Sequence, residues 1–488
     1  MILSEILEGI PCEIRGNQDL EIADLQYDSR KVKSGDLFFC IAGFEQDGHQ
    51  FAPGAVKNGA LAIVVQDWQD NLDVTQVRVL DSRKAMAQAA CNFCGNPSHS
   101  MKMIGITGTN GKTTTTYMIK KIAETAGMKV GLIGTIQNMI GDTVLHTERT
   151  TPESVDLQKL LKRMREENCA LVVMEVSSHS LCLHRTYGIS FDIGIFSNLT
   201  QDHLDFHKTW QDYMDAKSML FAQSALSIIN ADDACADYMS AHAKGNVLTY
   251  SAHKTADFYA GDISMTPQST RYTLHNQHNR YAVDVGIPGM FTVYNSLAAI
   301  SACAALGIDM NTVLAGIHAV SGVSGRFESL PTHGDCTLIL DYAHTPDSLE
   351  SSLKTIRQFA KGRVVSVFGC GGNRDKTKRP KMGDISARLA DFSIVTTDNP
   401  RFEKPADIIA DIVQGIKKEY NNKYICIEDR REAIAYALSH AQPKDVILLA
   451  GKGHETYQEI CGVKHDFDEK VIVAEIVDEL KSNGVKKA

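Results

Sequence analysis

The stretch that decides the fold is Gly105-Ile106-Thr107-Gly108-Thr109-Asn110-Gly111-Lys112-Thr113-Thr114. The apolar run that precedes the glycines, residues 101–106, predicts a buried parallel strand, and the spacing of Tyr117, Met118 and Ile122 predicts a helix. We expect Lys120 and Lys121 on the solvent side of that helix. A strand, a glycine-rich turn, Lys-Thr and a helix are typical of a phosphate-binding loop.

This loop has the residue types that phosphate binding requires. Gly108 and Gly111 let backbone N–H groups approach phosphate oxygens, and the start of the helix adds its positive end. Lys112 is expected to reach the β- and γ-phosphates of ATP, and the Thr113 hydroxyl to face Mg²⁺. The usual pattern has a glycine where Ile106 stands, so the loop is a shortened form. The residues assigned to ATP are Gly108, Thr109, Asn110, Gly111, Lys112, Thr113 and Thr114. A glycine-rich turn with no ligand is the alternative.

Length and composition limit the class of protein. A chain of 488 residues favours about three domains. A hydrophobic content of 43%, a charged content of 22% and a net charge of −9 argue against a nucleic-acid surface. The N-terminus does not resemble a signal peptide, and no apolar run approaches about 18 residues, so we expect no membrane insertion. Twelve cysteines without an export signal indicate reduced thiols in the cytoplasm.

The central segment alternates strands and helices, which predicts a mostly parallel sheet. Strands at 171–174 and 191–196 lead into polar segments, the first of which begins with Glu175. Ligands of such sheets bind beyond the carboxyl ends of the strands. A helix at 214–225 carries Lys217, an antiparallel insertion is expected between 249 and 287, and Asn295 lies in an alanine-rich helix.

A third unit is expected to begin near Arg326, and again each apolar strand ends in a polar segment. These segments are Asp341-Tyr342-Ala343-His344, Gly369-Cys370-Gly371-Gly372-Asn373-Arg374, Asp398-Asn399-Pro400-Arg401 and Gly451-Lys452-Gly453-His454-Glu455. The third glycine of a dinucleotide fingerprint is missing, which argues against a nicotinamide site. We predict domains at 1–97, 98–324 and 325–488.

These signatures, in this order, resemble those of the Mur ligases of cell-wall peptide synthesis, and the resemblance covers nearly the whole chain. It is carried by the shortened loop, Asp202-His203-Leu204-Asp205, Lys217, Asn295, Arg326 and Asp341-Tyr342-Ala343-His344. The resemblance implies an N-terminal mixed α/β UDP-binding domain, a central ATPase domain with a P-loop-type, mostly parallel sheet, and a C-terminal Rossmann-like α/β domain. We expect a monomer.

Three segments are similar to those of the family members that add the third residue to UDP-N-acetylmuramoyl-L-Ala-D-Glu (UDP-MurNAc-L-Ala-D-Glu). They are Asp28-Ser29-Arg30, Glu175-Val176-Ser177-Ser178-His179 and Asp398-Asn399-Pro400-Arg401. In this family a terminal arginine in the last segment goes with meso-diaminopimelate, whereas lysine-adding members differ there. Leu183 stands where members often carry Gln, although Arg185 is retained, which leaves one contact to the UDP-MurNAc dipeptide open.

The resemblance implies an ATP-dependent amide ligase that acts through an acyl phosphate in peptidoglycan precursor synthesis. It assigns Asn295, Arg326, Asp341 and His344 to ATP. It assigns Ser29, Thr150, Thr151, Ser177 and Arg185 to the UDP-MurNAc dipeptide. For diaminopimelate the expected residues are Arg374, Asp398, Asn399, Pro400, Arg401, Gly451 and Glu455, because the arginines can bind carboxylates and Glu455 an ammonium.

Two Mg²⁺ sites are implied in the same way. Thr113 and Glu175 are expected to hold one ion, and His203 the second, together with Lys217 modified by CO₂ to a carbamate. Lys112, Lys217 and His203 are the expected catalytic residues. Without the resemblance, Lys217 reads as a surface lysine and His203 as a turn or core histidine.

Three other functions remain open at this point. The first is the same ligase with L-lysine as the added residue, or another Mur ligase. The second is an enzyme similar to folylpolyglutamate synthase, against which the segment around Ser29 argues. The third is a P-loop motor or switch, a class that needs no group of polar strand ends in a third domain.

Overall fold

The computed structural model describes residues 1–43, 46–147, 149–266, 268–277, 279–332 and 334–485, except for the side chains of residues 204, 205 and 483–485. Of the Asp202-His203-Leu204-Asp205 segment, the side chains of Leu204 and Asp205 therefore lie outside the described part. The chain forms three open α/β sheets and one separate hairpin. The predicted three-domain α/β architecture is confirmed.

The N-terminal sheet has five strands in the order β1-β5-β4-β3-β2. All neighbours pair in parallel except β1 with β5. Its elements are α1 (Leu3–Ile6), β1 (Cys12–Arg15), β2 (Leu25–Gln26), β3 (Leu37–Phe39), α2 (Ala52–Lys57), β4 (Ala62–Val65), β5 (Thr75–Val79) and α3 (Ser82–Phe93). Asp81 caps α3, because its carboxylate accepts hydrogen bonds from the backbone N–H groups of Arg83 and Lys84.

The central sheet has eleven strands in the order β16-β15-β14-β13-β12-β11-β6-β10-β7-β8-β9. The strands from β14 to β7 in this order run parallel, and the two edges are antiparallel. Its strands are β6 (Lys102–Thr107), β7 (Val130–Ile133), β8 (Asn138–Ile140), β9 (Thr143–Leu145), β10 (Leu171–Glu175), β11 (Phe191–Phe196), β12 (Ser224–Asn230), β13 (Asn246–Ser251), β14 (Phe258–Met265), β15 (Thr270–Asn276) and β16 (Asn279–Val285).

Helices cover both faces of this sheet, and each face has its own apolar core. The helices are α4 (Lys112–Thr125), α5 (Ser154–Glu166), α6 (Ser178–Cys182), α7 (Leu204–His207), α8 (Trp210–Ala222), α9 (Ala236–Ala241), α10 (Met290–Ala305) and α11 (Met310–His318). The strand β6 lies between β10 and β11, so the carboxyl ends of three parallel strands meet where α4 begins.

Three expectations for this segment are wrong in part. The helix α8 ends at Ala222 rather than 225, because β12 already pairs with Phe191 at Ser224. The insertion is antiparallel only from β14 to β16, since β13 pairs in parallel with both its neighbours and all four strands extend the central sheet. Lys120 is buried, not on the solvent side, because α10 and α11 pack over α4 and Glu124 supplies an ion-pair partner.

The C-terminal sheet has the order β17-β18-β22-β19-β20-β21, parallel except for β17. Its strands are β17 (Glu328–Leu330), β18 (Thr337–Asp341), β19 (Val364–Phe368), β20 (Phe392–Val395), β21 (Tyr424–Cys426) and β22 (Val446–Ala450); β23 (Tyr457–Ile460) and β24 (Val463–Asp466) form the hairpin. Its helices are α12 (Pro346–Phe359), α13 (Lys378–Leu389), α14 (Pro405–Val413), α15 (Arg430–Ser439) and α16 (Glu469–Val485).

Within the described residues, three short 3₁₀ helices lie at Gly48–Phe51, Pro97–Ser100 and Lys418–Lys423. The second lies between the first two sheets. All twelve cysteines are free thiols. Within the described ranges, no helix combines the length and the apolar character that a membrane span requires.

Candidate active site

The phosphate-binding loop connects the end of β6 to the start of α4 and requires both of its glycines. Gly108 and Gly111 have φ angles of +147° and +87°. A Cβ at Gly108 would lie 1.9 Å from Ser197 Oγ, and one at Gly111 would lie 2.3 Å from Asn295 Oδ1. The fold therefore places Asn295 against the loop and leaves no room for another residue type at either glycine.

Two lysines meet at one carbonyl of this loop. Lys112 Nζ donates to the carbonyl oxygens of Gly108 and Thr109, each at 2.9 Å, and Lys217 Nζ donates to Gly108 O at 2.8 Å. The Lys217 residue is 1% exposed, so its interpretation as a surface lysine is wrong. Burial lowers the pKa of Lys217 well below its usual value, and the nearby Lys112 lowers it further.

Glu175 ends β10 and joins the loop through Thr113. Its Oε2 accepts from Thr113 Oγ1 at 3.1 Å and from Thr135 Oγ1 at 3.0 Å, and its Oε1 accepts from the Thr135 backbone N–H at 2.8 Å. Arg326 Nη2 donates to Thr113 Oγ1 at 3.0 Å. Thr135 was not predicted from the sequence, because it follows β7 without a recognisable motif.

The oxygens of Thr113 and Glu175 fit a Mg²⁺ ion. Octahedral Mg²⁺ binds oxygens at about 2.0–2.1 Å, which puts neighbouring ligand atoms about 2.9 Å apart. The 3.1 Å between Thr113 Oγ1 and Glu175 Oε2 is close to that spacing. His203 lies nearby, with its Nε2 3.3 Å from Asp202 Oδ2. Among the described side chains, no group of three or more His, Cys, Asp or Glu residues is arranged to hold a metal ion by itself.

The C-terminal domain contacts the loop through Arg326 and through Asp347, which accepts a hydrogen bond from Asn110 of the loop. The Arg326 guanidinium lies 4.5 Å from the centre of the Tyr342 ring, and Asn110 Nδ2 donates to Asp347 Oδ2 at 2.9 Å. The bond from Arg326 to Thr113 and the bond from Asn110 to Asp347 cross between the central and C-terminal domains, so the two domains touch at the phosphate-binding loop.

Asp341 ends β18, His344 lies in the segment that follows it, and both make internal hydrogen bonds. Asp341 Oδ1 accepts from the backbone N–H groups of Phe327 and Tyr342, and its Oδ2 accepts from Ser352 Oγ at 2.6 Å. Burial raises the pKa of Asp341. His344 Nδ1 lies 2.8 Å from Tyr342 O. Asp341 thus holds the backbone beside Arg326, a positioning role that the sequence did not indicate.

The polar ends of the C-terminal strands converge around Lys452, which is fully buried. Its Nζ lies 3.2 Å from Asn399 Oδ1 and from Glu455 Oε2, and 3.8 Å from Asp398 Oδ1. Asn399 Nδ2 donates to Glu455 Oε2 at 2.8 Å. Burial raises the pKa of Glu455, and the charge of Asp398 adds to this effect. A Cβ at Gly451 would lie 3.0 Å from Asp398 Oδ2, so Gly451 belongs to the same group.

Arg374 and Arg401 flank one glycine at the edge of this group. A Cβ at Gly371 would lie 2.8 Å from Arg401 Nη1 and 3.8 Å from Arg374 Cγ. Arg401 Nε donates to Glu459 Oε2 at 3.1 Å. Pro400 lies directly before Arg401, and its carbonyl packs on Gly372. Neither Lys452 nor Glu459 was among the predicted site residues.

Tyr342 connects the two charged groups. Its ring packs on Arg326, which bonds Thr113 of the phosphate-binding loop, and its hydroxyl donates to Glu455 Oε1 at 3.3 Å. Arg326 and Tyr342 therefore link the phosphate-binding loop to the C-terminal group. This group consists of Asp398, Asn399, Gly451, Lys452 and Glu455, with Arg374 and Arg401 at its edge.

Four of the residues predicted to bind the UDP-MurNAc dipeptide form a third group. Thr151 Oγ1 donates to Glu175 O at 2.9 Å and accepts from the Ser177 N–H at 3.1 Å. Arg185 Nη1 donates to Thr151 O at 3.0 Å, and Thr150 Oγ1 lies 3.1 Å from Thr135 Oγ1.

Glu153 and Ser29 border this third group differently. The Glu153 carboxylate lies 2.7 Å from Arg185 Nη2 and forms an ion pair with it. Glu153 was not predicted from the sequence. Ser29 lies in a turn of the N-terminal domain between β2 and β3, where its carbonyl accepts from Asn58 Nδ2 at 3.0 Å. Tyr27, two residues before Ser29, bonds Asp156 of α5. The N-terminal domain thus meets the central one at the helix that follows Thr151.

Three family models match along the chain. The model described as Mur ligase family, catalytic domain matches residues 21–94, Mur ligase middle domain matches 106–303, and Mur ligase, glutamate ligase domain matches 325–453.

Curated relatives match over nearly the whole length. The UDP-N-acetylmuramoyl-L-alanyl-D-glutamate–2,6-diaminopimelate ligase 1 of Clostridium acetobutylicum is 50% identical over 485 residues, which cover 98% of this chain and 100% of that protein. The corresponding ligase of Caldanaerobacter subterraneus is 49% identical over 481 residues, 98% of this chain and 99% of that one.

Solved structures also resemble this chain. The structure of a UDP-N-acetylmuramoyl-L-alanyl-D-glutamate–2,6-diaminopimelate ligase is 33% identical, with a TM-score of 0.71 over 99% of both chains. A Mycobacterium tuberculosis folylpolyglutamate synthase complexed with ADP and AMPPCP is similar in fold alone, at 16% identity and a TM-score of 0.64 over 75% of this chain and 92% of that one. With half of its residues identical to those of a full-length relative and three family models along its length, the chain belongs to the Mur ligase family.

Proposed function

We propose that this ATP-dependent, ADP-forming ligase joins meso-diaminopimelate to the D-Glu of UDP-MurNAc-L-Ala-D-Glu in peptidoglycan precursor synthesis. The observation that carries the proposal is the group formed by Arg374, Arg401, Asp398 and Glu455, which a single Tyr342 connects to the phosphate-binding loop. Diaminopimelate has two carboxylates and two amines, and this group offers two guanidinium groups and two carboxylates to complement them.

A carboxylate becomes reactive toward an amine only after activation. The γ-phosphoryl group moves from ATP to a carboxylate oxygen of the D-Glu, and ADP leaves. The neutral amine of the amino acid then attacks the acyl carbon, an amide bond forms, the amine loses its proton, and phosphate departs with the bonding electrons. Lys112, Arg326 and the N–H groups of the loop stabilise the negative charge that collects on the phosphoryl oxygens.

Thr113 and Glu175 would hold a Mg²⁺ ion beside Lys112, and this ion would neutralise phosphate charge when bound. A second Mg²⁺ would need His203 together with a carbamate on Lys217. The environment of Lys217 supports that modification, because CO₂ reacts with a neutral amine and the pKa of this buried amine is lowered. A carbamate also replaces a second cation next to Lys112 with an anion that can bind metal.

The UDP-MurNAc dipeptide is assigned to Ser29, Thr150, Thr151, Ser177 and Arg185, at the junction of the N-terminal and central domains. Leu183 donates its backbone N–H to His179 O at 2.9 Å and has no polar side-chain atom for the substrate. Asn295 packs on Gly111, and we assign it to ATP with Arg326, Asp341 and His344. The boundaries at 97 and 324, a cytoplasmic location and a monomeric state complete the proposal.

The test is the dependence of ADP release on both co-substrates. With UDP-MurNAc-L-Ala-D-Glu and diaminopimelate present together, ADP should form in a one-to-one ratio with a UDP-MurNAc-tripeptide identified by mass. Leaving out either co-substrate should reduce ADP release to the background rate. Rapid ADP release without the UDP-linked substrate and the amino acid would instead indicate a P-loop motor or switch and would refute the proposal.

A further inference from the structure

The hairpin β23–β24 is hydrogen-bonded to the loop that carries Arg401. The backbone of Arg401 is left-handed, with a φ angle of +51°, a conformation that is unfavourable for a residue with a side chain. Two hydrogen bonds hold it, from Arg401 N–H to Glu459 O at 3.0 Å and from Cys461 N–H to Arg401 O at 2.7 Å. The hairpin therefore fixes the backbone from which the guanidinium extends.

The same hairpin holds the two residues before Pro400. Asn399 Oδ1 accepts from the Glu459 backbone N–H at 3.0 Å, and Gln458 Nε2 donates to Asp398 O at 2.8 Å. The segment from Asp398 to Arg401 is thus ordered from one side by β23, independently of the β20 strand that delivers it.

The Glu459 side chain determines which edge of the Arg401 guanidinium is free. Nε donates to Glu459 Oε2 at 3.1 Å, and Nη1 donates to Gly372 O at 2.9 Å. A guanidinium has five N–H donors, so these two bonds leave three, enough for a bidentate bond to a carboxylate through the Nη edge. The Arg401 and Glu459 side chains are 21% and 25% exposed, so a small ligand can reach them.

We propose that Glu459 is a positioning residue for the added amino acid, because it fixes Arg401 so that the Nη edge meets a carboxylate of that substrate. The inference rests on the proposed function and extends it to a residue outside the strand-end motifs. If Glu459 instead only competed with the substrate carboxylate for Arg401, its removal would strengthen substrate binding. The two roles therefore predict opposite changes in KM.

The experiment measures steady-state kinetics of ADP release with each substrate varied in turn. Glu459→Ala should raise the KM for diaminopimelate about tenfold, the lower end of the effect of one lost hydrogen bond to a charged group. The KM values for ATP and for UDP-MurNAc-L-Ala-D-Glu should not change. Glu459→Gln should stay within about twofold of wild type, since the amide oxygen can still accept from Arg401 Nε. Asp466→Ala, an exposed carboxylate on β24, is the matched control and should leave all three KM values unchanged.

A double-mutant comparison separates positioning from an independent effect. In the Arg401→Ala background, Glu459→Ala should change the KM for diaminopimelate by less than about twofold, because its partner is already absent. An unchanged or lower KM in Glu459→Ala, or equal effects with and without Arg401, would overturn the inference. If wild type makes no product with diaminopimelate, the proposed function itself fails. If wild type uses diaminopimelate and Glu459→Ala equals it, only the inference fails.

Discussion

The phosphate-binding loop and the C-terminal group hold their charges in opposite ways. In the loop, Lys112 and Lys217 both donate to Gly108 O, and among the described side chains neither amine forms an ion pair with a carboxylate. In the C-terminal group, Lys452 pairs with Glu455, and Arg401 pairs with Glu459. The lysines of the loop therefore bond to a backbone carbonyl, whereas the cations of the C-terminal group are matched by carboxylates.

This difference corresponds to the two kinds of substrate. A buried cation without a paired carboxylate is unfavourable, so the retention of Lys112 in the loop indicates a polyanionic ligand such as the phosphates of ATP. A group that holds both cations and carboxylates is suited to a zwitterionic amino acid, because it offers a partner of opposite charge to each end of that substrate. Changes in the loop should therefore impair the reaction with any amino acid, whereas changes in the C-terminal group should affect the amino acid alone.

The largest effect is expected for Lys217→Ala. The loss of the carbamate position should reduce kcat about 10³-fold, more than one electrostatic donor contributes, because a metal site is lost. Short carboxylic acids added to the reaction should restore part of the activity by occupying the vacated space. Lys244→Ala, an exposed lysine of the same domain, is the control. An intact mass that shows an unmodified lysine in fully active wild type would contradict the carbamate.

Lys112→Ala should follow, with a loss of about 3–4 kcal/mol of transition-state stabilisation, the contribution of one lost electrostatic donor. The loss should be the same with every amino acid that the enzyme accepts, and the thermal transition should be unchanged because the side chain bonds only to the loop. Lys121→Ala, exposed on the same helix, should behave as wild type. A turnover of Lys112→Ala close to that of wild type would refute the phosphate assignment.

Arg401→Ala should lower kcat/KM for diaminopimelate about 10²–10³-fold, the lower part of the range expected for a bidentate carboxylate contact, which consists of two hydrogen bonds to a charged group at roughly 1.5–3 kcal/mol each. The KM for ATP should hardly change, and lysine should remain a poor substrate, because removing a favourable contact does not create a lysine site. Arg357→Ala, which removes a surface arginine paired with Asp391, serves as the control. Equal losses for ATP and diaminopimelate would indicate a structural role for Arg401.

The smallest effect concerns stability and pH. The folded pKa of Lys217 is lowered from 10.5, so between that folded pKa and 10.5 the unfolded chain binds the additional proton and stability rises with pH. In buffer freed of bicarbonate, Lys217→Met should therefore raise Tm at pH 7, and the gain should shrink as the pH approaches 10. Calorimetry of both proteins from pH 7 to 10 checks this. A pH-independent difference would contradict the lowered pKa.

The two regions also differ in how far the sequence could predict them. The loop is one contiguous motif, so its strand, its helix and the roles proposed for its glycines followed from local pattern. The burial of Lys217 could not be read from α8, because the residues that cover it belong to other segments. The partners of Arg401 come from β23, almost sixty residues further along the chain, and no local pattern indicates which charges pair across such a separation.

The end of α8 shows the same limit within the fold. The helical pattern continues past Ala222, but pairing with β11 starts a strand at Ser224. Lys120 reads as solvent-facing on its own helix and is buried by α10 and α11, which are distant in sequence. Local periodicity therefore predicted the elements and their order, while tertiary packing decided their ends and the burial of individual charges.

The most direct test of the central claim is a comparison of kcat/KM for diaminopimelate, lysine and ornithine, at saturating ATP and UDP-MurNAc-L-Ala-D-Glu, in wild type, Lys112→Ala and Arg401→Ala. A loop that serves every amino acid and a C-terminal group that selects one predict a strong wild-type preference for diaminopimelate. That preference should persist in Lys112→Ala at reduced rate and collapse in Arg401→Ala. A wild type that prefers lysine, or a preference that survives in Arg401→Ala, would contradict the account.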